Sequence, residues 1–165
     1  MQVFKEKELL DQRLSQVKLA GKTIGLVPTM GALHDGHLYL VKEALKSCDQ
    51  VVVSIFVNPT QFDNPDDLEK YPRNLEKDIN LIKNISEEII VFTPNANELY
   101  GDLIASEHFD FDGLDIVMEG KHRTGHFDGV GTVVKLLFKA VQPNKAFFGE
   151  KDYQQLQIIR KLTEI

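Results

Sequence analysis

Cysteine is almost missing from this chain: Cys48 stands alone among 165 residues. A single unpaired thiol offers no disulfide framework and fits a reducing compartment. Long apolar runs are also missing, and no stretch approaches the roughly 20 apolar residues that a membrane-spanning helix requires. Met1-Gln2-Val3-Phe4-Lys5-Glu6-Lys7 contains no secretory hydrophobic region, so a cytoplasmic protein is expected, with no membrane partner. Basic charge is in deficit, with a net charge of -6. That balance argues against a broad nucleic-acid surface, which draws on clustered lysine and arginine. A small anion is still compatible with it, because charges beyond about 8 Å are largely screened at physiological salt. Two catalytic signatures are absent too. No GxSxG elbow occurs, and no glycine loop ends in Lys-Ser or Lys-Thr, which disfavours serine acyl chemistry and P-loop phosphate binding. There is no internal repeat and no low-complexity segment.

What is present is enough for one core. A chain of 165 residues with 42% hydrophobic content is expected to form a single compact domain spanning 1–165. Strand-like and helix-like segments alternate along it, the pattern of an α/β fold with a parallel sheet flanked by helices. Helices are expected over 5–19, 38–48, 75–85, 132–141 and from 153 onward. Strands are expected over 23–27, 50–57, 88–92 and 145–148, with Pro28 ending the first. Val51-Val52-Val53-Ser54-Ile55-Phe56-Val57 suits a strand buried on both faces. The segment after Phe92 through Val117 carries no clear pattern. Leu156, Ile158, Ile159, Leu162 and Ile165 continue a helical pattern with no stop signal, as though the sequence ended inside an element.

The densest chemistry lies in Pro28-Thr29-Met30-Gly31-Ala32-Leu33-His34-Asp35-Gly36-His37, which joins the first strand to the following helix. His34 and His37 stand at the helix entrance, three residues apart and on nearly one face, beside the unpaired N–H groups and positive dipole end that attract anions. Gly31 and Gly36 let a ligand approach the backbone closely. Zinc is the competing use of two histidines, but a structural site needs four ligands and Cys48 lies beyond the motif. Two surface histidines at a helix start are the plain alternative.

Ligands of open parallel sheets bind beyond the carboxyl ends of the strands, so the residues after each strand matter. Thr29, Met30, His34 and His37 follow the first. Asn58, Pro59, Thr60, Gln61 and Phe62 follow the second, and Gly149, Glu150, Lys151 and Asp152 follow the last. These three segments are expected to converge on one rim. Lys151 can reach a nucleotide phosphate, the Gly149 backbone can pair with a base or ribose, and Asp152 can accept from ribose hydroxyls or cap the next helix. Gln61 and Gln155 both donate and accept, which suits a hydroxy acid, although an isolated glutamine is commonly just a solvated surface residue. Lys121-His122-Arg123-Thr124-Gly125-His126-Phe127 is a cationic loop in an acidic chain. Arg123 has the best claim there, since a guanidinium grips a carboxylate bidentately.

Five separated blocks now carry a resemblance. They are Val27-Pro28-Thr29-Met30-Gly31 with His34-Asp35-Gly36-His37, then Val53-Ser54-Ile55-Phe56-Val57-Asn58-Pro59 with Gln61-Phe62. Tyr71-Pro72-Arg73 is next, followed by Glu119-Gly120 with Arg123 and Gly125-His126-Phe127. Phe148-Gly149-Glu150-Lys151-Asp152-Tyr153-Gln154-Gln155-Leu156 completes the set. In this order they resemble the N-terminal nucleotide-binding domain of the pantoate-beta-alanine ligase family. The resemblance implies a Rossmann-like sheet of the HIGH-motif nucleotidyltransferase superfamily. It also implies ATP-dependent condensation of pantoate with beta-alanine through pantoyl adenylate, giving pantothenate, AMP and pyrophosphate on the route to coenzyme A. His34 and His37 correspond to the HIGH-like motif, with His37 in the proton-donor position. Met30 to His37 (Met30, Gly31, Ala32, Leu33, His34, Asp35, Gly36, His37) and Gly149 to Asp152 would bind ATP. Gln61 and Gln155 would hold pantoate, while Gln61 and Arg123 would face beta-alanine. Mg2+ would accompany ATP, and the family commonly forms homodimers through this domain. Members continue for roughly another hundred residues, with a KMSKS-like loop and a C-terminal lid that have no counterpart in 1–165, so weak turnover is expected of this chain. A nucleotidylyltransferase of the same superfamily and a non-catalytic nucleotide-binding module are the alternatives.

Overall fold

Apolar residues alternate in direction along each strand, and every strand therefore needs cover on both faces. The computed structural model describes residues 1–62, 64–109, 126–149, 160 and 163. Its strands are β1 (Gln2–Phe4), β2 (Ile24–Thr29), β3 (Gln50–Ile55), β4 (Ile90–Phe92) and β5 (Lys145–Ala146). They pair in parallel in the order β1-β4-β3-β2-β5. Leu26, Val52, Ile90 and Phe92 point to one face, where they meet Leu10, Leu14 and Val17 of α1 (Lys7–Leu19) and Val130, Val134 and Leu137 of α6 (His126–Val141). Val27, Val51, Val53 and Val91 point to the other, against Val41 and Ala44 of α2 (Asp35–Ser47) and Ile82 of α4 (Leu75–Ile85). Two shorter helices, α3 (Pro65–Lys70) and α5 (Ala96–Tyr100), and a 3-10 turn at Pro59–Gln61 lie at the carboxyl end of the sheet.

The α/β reading holds, with shifted boundaries. Pro28 does not end β2, which runs on to Thr29, because the ladder to β3 loses nothing at that position. Alternate residues of a parallel strand bond to opposite neighbours. Ile24 and Leu26 accept from Asn144 and Phe147 on the β5 side, whereas Thr23 and Thr29 accept from Gln50 and Phe56 on the β3 side. The missing N–H of Pro28 thus falls toward β5, which stops at Ala146. For the same reason the expected strand over 145–148 shrinks to Lys145–Ala146. The strand expected over 50–57 stops at Ile55, and Phe56 and Val57 begin the turn. Helices α2 and α6 start earlier than their apolar periodicity indicates, at Asp35 and His126. The helix expected from 153 onward lies outside the described residues, apart from Arg160 and Thr163, which are helical.

This order puts a switch point beside β2. Its neighbours are β3, the next strand in sequence, and β5, reached only after the chain has passed through β4 and α6. The crevice beyond the carboxyl ends at such a point is where open α/β sheets bind ligands.

Candidate active site

The turn between β2 and α2 is held by polar groups buried beneath it. Thr29 Oγ1 donates to the Ser54 carbonyl at 2.9 Å and accepts from the Gly31 N–H at 3.2 Å, tying the start of the turn to β3. Gly31 has φ +82° and Ala32 φ +51°, two consecutive left-handed positions. A kink of this kind turns successive N–H groups into a concavity that accepts an anion. Here the anion is internal: Asp78 of α4, only 3% exposed, accepts from Ala32 N–H and Leu33 N–H, each at 3.0 Å. Gly31 is required twice, by its φ and because a Cβ there would lie 3.0 Å from Asp78 Oδ2.

His34 then becomes the N-cap of α2. Its Nδ1 accepts from Gly36 N–H at 3.0 Å, and His37 Nδ1 accepts from His34 N–H at 3.2 Å, a reciprocal capping box built from two imidazoles. A backbone N–H can only donate, so both Nδ1 atoms are acceptors. Each neutral ring therefore carries its proton on Nε2. The rings lie 4.0 Å apart between centroids. A Cβ at Gly36 would meet the His34 ring at 2.8 Å, so glycine there lets the ring fold back over the helix start. His34, Asp35 and Gly36 are exposed, Leu33 is buried, and His37 is half-buried.

A cavity of about 210 Å³ opens beside this helix start. Thr29, Met30 and His37 line it from the β2–α2 side, Phe56, Asn58 and Gln61 from the end of β3, and Phe148 from beyond β5. Val130, Val133, Val134 and Leu137 of α6 form an apolar wall, and Tyr71 closes one side. Burial, with a smaller contribution from the Asp78 carboxylate, pushes the Tyr71 hydroxyl above its ordinary range, so it stays protonated and able to donate. Among the described residues the lining contains no lysine and no arginine.

Asn58, 1% exposed, organises the second segment. Its Oδ1 accepts from Thr60 N–H at 3.4 Å, from Thr60 Oγ1 at 3.1 Å and from the Tyr100 hydroxyl. Its Nδ2 donates to the Gly129 carbonyl at 3.0 Å and to Gln61 Oε1 at 2.9 Å. Gly129 is needed because a Cβ there would stand 2.6 Å from the Thr60 carbonyl oxygen, and backbone cannot give way cheaply. Burial raises the Tyr100 hydroxyl above its usual range, against the smaller pull of its hydrogen bonds to Thr60 and Asn58.

The structure thus brings the expected Met30, His37 and Gln61 around one cavity, with the His34 ring against that of His37 and Phe148 adjoining the exposed Gly149. Arg123, Glu150, Lys151, Asp152 and Gln155 lie outside the described residues. Cys48 sits at the far end of α2, where its Sγ would be 2.9 Å from a Cβ at Gly25, and burial raises its pKa. Among the described residues no group of three or more His, Cys, Asp or Glu side chains is arranged to hold a metal ion. Nor is any described helix long and apolar enough to cross a membrane. Sequence reasoning missed Asp78, Tyr100 and the wall of α6, all of which act on the site from elements distant in sequence.

Comparison with known families decides what this arrangement belongs to. The profile described as pantoate-beta-alanine ligase matches residues 2–165. The chain belongs to the pantoate-beta-alanine ligase family. A relative named pantothenate synthetase, from Christiangramia forsetii, is 70% identical over 164 residues, covering 99% of this chain and 58% of the relative. The pantothenate synthetase of Flavobacterium psychrophilum is 62% identical over 143 residues, 87% of this chain and 51% of that one. Among solved structures, a pantoate-beta-alanine ligase from Francisella tularensis complexed with beta-gamma ATP and beta-alanine superposes with a TM-score of 0.92 at 38% identity. That match covers 99% of this chain and 62% of the other. The pantothenate synthetase of Thermus thermophilus superposes at 0.88 with 40% identity, covering 99% and 57%. The chain therefore spans little more than half the length of these family members.

Proposed function

We propose that this chain carries the nucleotide- and acid-binding half of a pantoate-beta-alanine ligase, whose whole reaction is ATP-dependent condensation of pantoate with beta-alanine. The pantoate carboxylate attacks the α-phosphorus of ATP, the bond to the β-phosphate oxygen breaks, and pyrophosphate leaves with its electron pair. The amine of beta-alanine then attacks the acyl carbon of pantoyl adenylate, loses a proton, and releases AMP.

The observation that carries this reading is the juxtaposition of a small cavity, whose described lining holds no lysine or arginine, with an imidazole-capped helix start. At about 210 Å³ the cavity is smaller than typical sites for drug-sized ligands, so it suits the acid and leaves the nucleotide to the exposed rim. Pantoate has two methyl groups, two hydroxyls and a carboxylate. The valine and leucine wall of α6 complements the methyls, and Gln61 and Tyr71 supply neutral polar contacts. A carboxylate held by neutral donors keeps more of its nucleophilic character than one tied into an ion pair.

At the rim, His34 and His37 donate from Nε2 toward the phosphates where negative charge develops, aided by the positive end of α2. Met30 to His37 and Gly149 to Asp152 are the ATP-binding segments in this reading. Gln61 and Gln155 hold pantoate, and Gln61 and Arg123 meet beta-alanine. Magnesium enters with ATP as part of that substrate, consistent with its preference for phosphates and retained waters over an all-protein cage. A homodimer in the cytoplasm belongs to the same reading. Calorimetric titration of pantoate into the chain with a non-hydrolysable ATP analogue and magnesium already bound tests it. Saturable binding that weakens in Gln61→Ala is expected. Nucleotide binding without any pantoate binding would overturn the assignment of the cavity and favour a nucleotidylyltransferase.

A further inference from the structure

Proline disfavours the helical conformation in the residue before it, and Tyr71, followed by Pro72, accordingly leaves α3 with φ -58° and ψ 129°. Because α3 is only six residues long, this break strands the carbonyls of its last turn. Arg73 reaches back over them. Its Nη1 donates to the Glu69 carbonyl at 3.2 Å and to the Tyr71 carbonyl at 3.0 Å, and its Nη2 donates to the Leu68 carbonyl at 2.8 Å. A charged fork suits the negative end of a helix, and the single ammonium of a lysine has no such geometry. The guanidinium therefore ties the end of α3 to the backbone beyond the break. Tyr71, half-buried, is held at its carbonyl, while its ring packs edge-on against Phe62 with 5.7 Å between centroids. Tyr71 lines the cavity of about 210 Å³ and Arg73 does not.

We propose that Arg73 is a positioning residue for the acid: by forking onto the Leu68, Glu69 and Tyr71 carbonyls it holds Tyr71 in place as one side of the cavity, and its effect on the substrate runs through Tyr71. The inference rests on the reading that this cavity takes the acid. When Arg73 is shortened, the turn keeps a longer bond of 3.4 Å from Tyr71 N–H to the Leu68 carbonyl, the Phe62 ring and the restraint of Pro72. These fix the Tyr71 side chain relative to Phe62, but the join between α3 and the segment after it loses three of its bonds at once. All three lie at the exposed surface, so water replaces the guanidinium on the freed carbonyls. Folding is thus little affected, while a mobile solvent partner no longer sets where Tyr71 stands.

The test compares the chain with Arg73→Ala, Arg73→Lys, Tyr71→Ala and the double variant Arg73→Ala with Tyr71→Ala. The first readout needs no ligand: backbone ¹⁵N order parameters over Leu68 to Tyr71 by NMR. They are expected to drop from about 0.85, a rigid backbone, to below about 0.6 in both Arg73 variants. The second is calorimetry, in which affinity for pantoate should fall about fivefold in Arg73→Ala and in Arg73→Lys, and that for a non-hydrolysable ATP analogue less than about twofold. In the Tyr71→Ala background, removing Arg73 should change pantoate affinity by less than about twofold, because the residue it acts through is already gone. Additive losses in that cycle overturn the proposal, as do order parameters unchanged in both Arg73 variants. Full pantoate affinity in Arg73→Lys beside a loss in Arg73→Ala also overturns it, since charge alone would then suffice. If the unaltered chain binds no pantoate while the order parameters still fall, the positioning of Tyr71 stands and the acid-binding reading of the cavity falls.

Discussion

Asp78→Asn is the sharpest test of how the β2–α2 turn is held. The native carboxylate gives one oxygen to Ala32 N–H and the other to Leu33 N–H, both at 3.0 Å. Asparagine keeps one acceptor and places an NH2 against the other N–H. Hydrogen bonds to charged groups are worth about 1.5–3 kcal/mol, and a buried donor left unpaired costs about 1–3 kcal/mol more. Neutralising a side chain that is 3% exposed also relieves the cost of burying charge, which acts in the opposite direction. The loss should win, because Gly31 at φ +82° and Ala32 at φ +51° form a left-handed kink whose far side is secured by these two bonds. A net destabilisation of about 3 kcal/mol follows. For a chain of this size that lowers the melting temperature by about 6–12 °C. The affinity for an ATP analogue should fall with it, since the histidine cap begins at the next residue. Thermal unfolding by circular dichroism and calorimetric binding read both. A melting temperature unchanged or raised would mean that relief of charge burial outweighs the two hydrogen bonds, and the clamp would have to be abandoned.

Other expectations follow from the same contacts. Gly129→Ala drives a Cβ toward the Thr60 carbonyl, 2.6 Å away, and should cost about 1–3 kcal/mol in chemical denaturation while weakening pantoate binding more than nucleotide binding. Gly36→Ala pushes the His34 ring, 2.8 Å from the added carbon, off its cap; nucleotide affinity should drop while the melting temperature moves by only a few degrees. Asp49 accepts from Thr23 N–H and Thr23 Oγ1, and the backbone bond foremost holds its carboxyl below the ordinary 3.8. Its contribution to stability is therefore present above that value and lost as pH falls through the lowered one, and Asp49→Asn should flatten this part of the acid unfolding curve. Finally, Asp78→Asn and Tyr100→Phe share no hydrogen-bond partner. Their effects on stability should add within about 0.5 kcal/mol in a double-variant cycle.

The parts of the site that were legible in the sequence are those with local signals. Gly31, Gly36 and Pro28 punctuate the turn, and the apolar spacing of α2 places His34 and His37 at its start. Two short helices carried readable signals that periodicity over a longer window passes over. Asn64 caps α3 with Pro65 at its first position, and Asn95 caps α5, each accepting from a backbone N–H. Strand β1 was not legible, because three residues with two exposed leave no pattern to count. Asp78 was hidden for a different reason. It stands on the inward face of α4 near Ile82, where a carboxylate reads as an error in the pattern until its partners, 45 and 46 residues earlier, are known. Tyr100 and Asn58 likewise meet across 42 positions. Sequence spacing reveals which groups are available, but a hydrogen bond between distant elements becomes visible only when the sheet order is set.

That order also explains why the two halves of the site have separate supports. The rim rests on α4, which packs on the same face of the sheet as α2 and can therefore send Asp78 beneath the turn that α2 begins. The cavity rests on α5 and α6; α6 packs on the opposite face, and Asn58 is gripped from there by Tyr100 and the Gly129 carbonyl. Strands β2 and β3 serve both, through Thr29 Oγ1 on the Ser54 carbonyl. The rim and the cavity are thus carried by adjacent strands of one sheet, while the residues that hold them come from different helices. A buried polar side chain is tolerated when its partners are satisfied, and each such group then fixes one geometry where apolar packing would permit several. Asp78 and Asn58 each saturate backbone groups of a different loop. Change in one loop consequently need not disturb the other, and the rim at the start of α2 and the cavity beside it can be tuned one at a time.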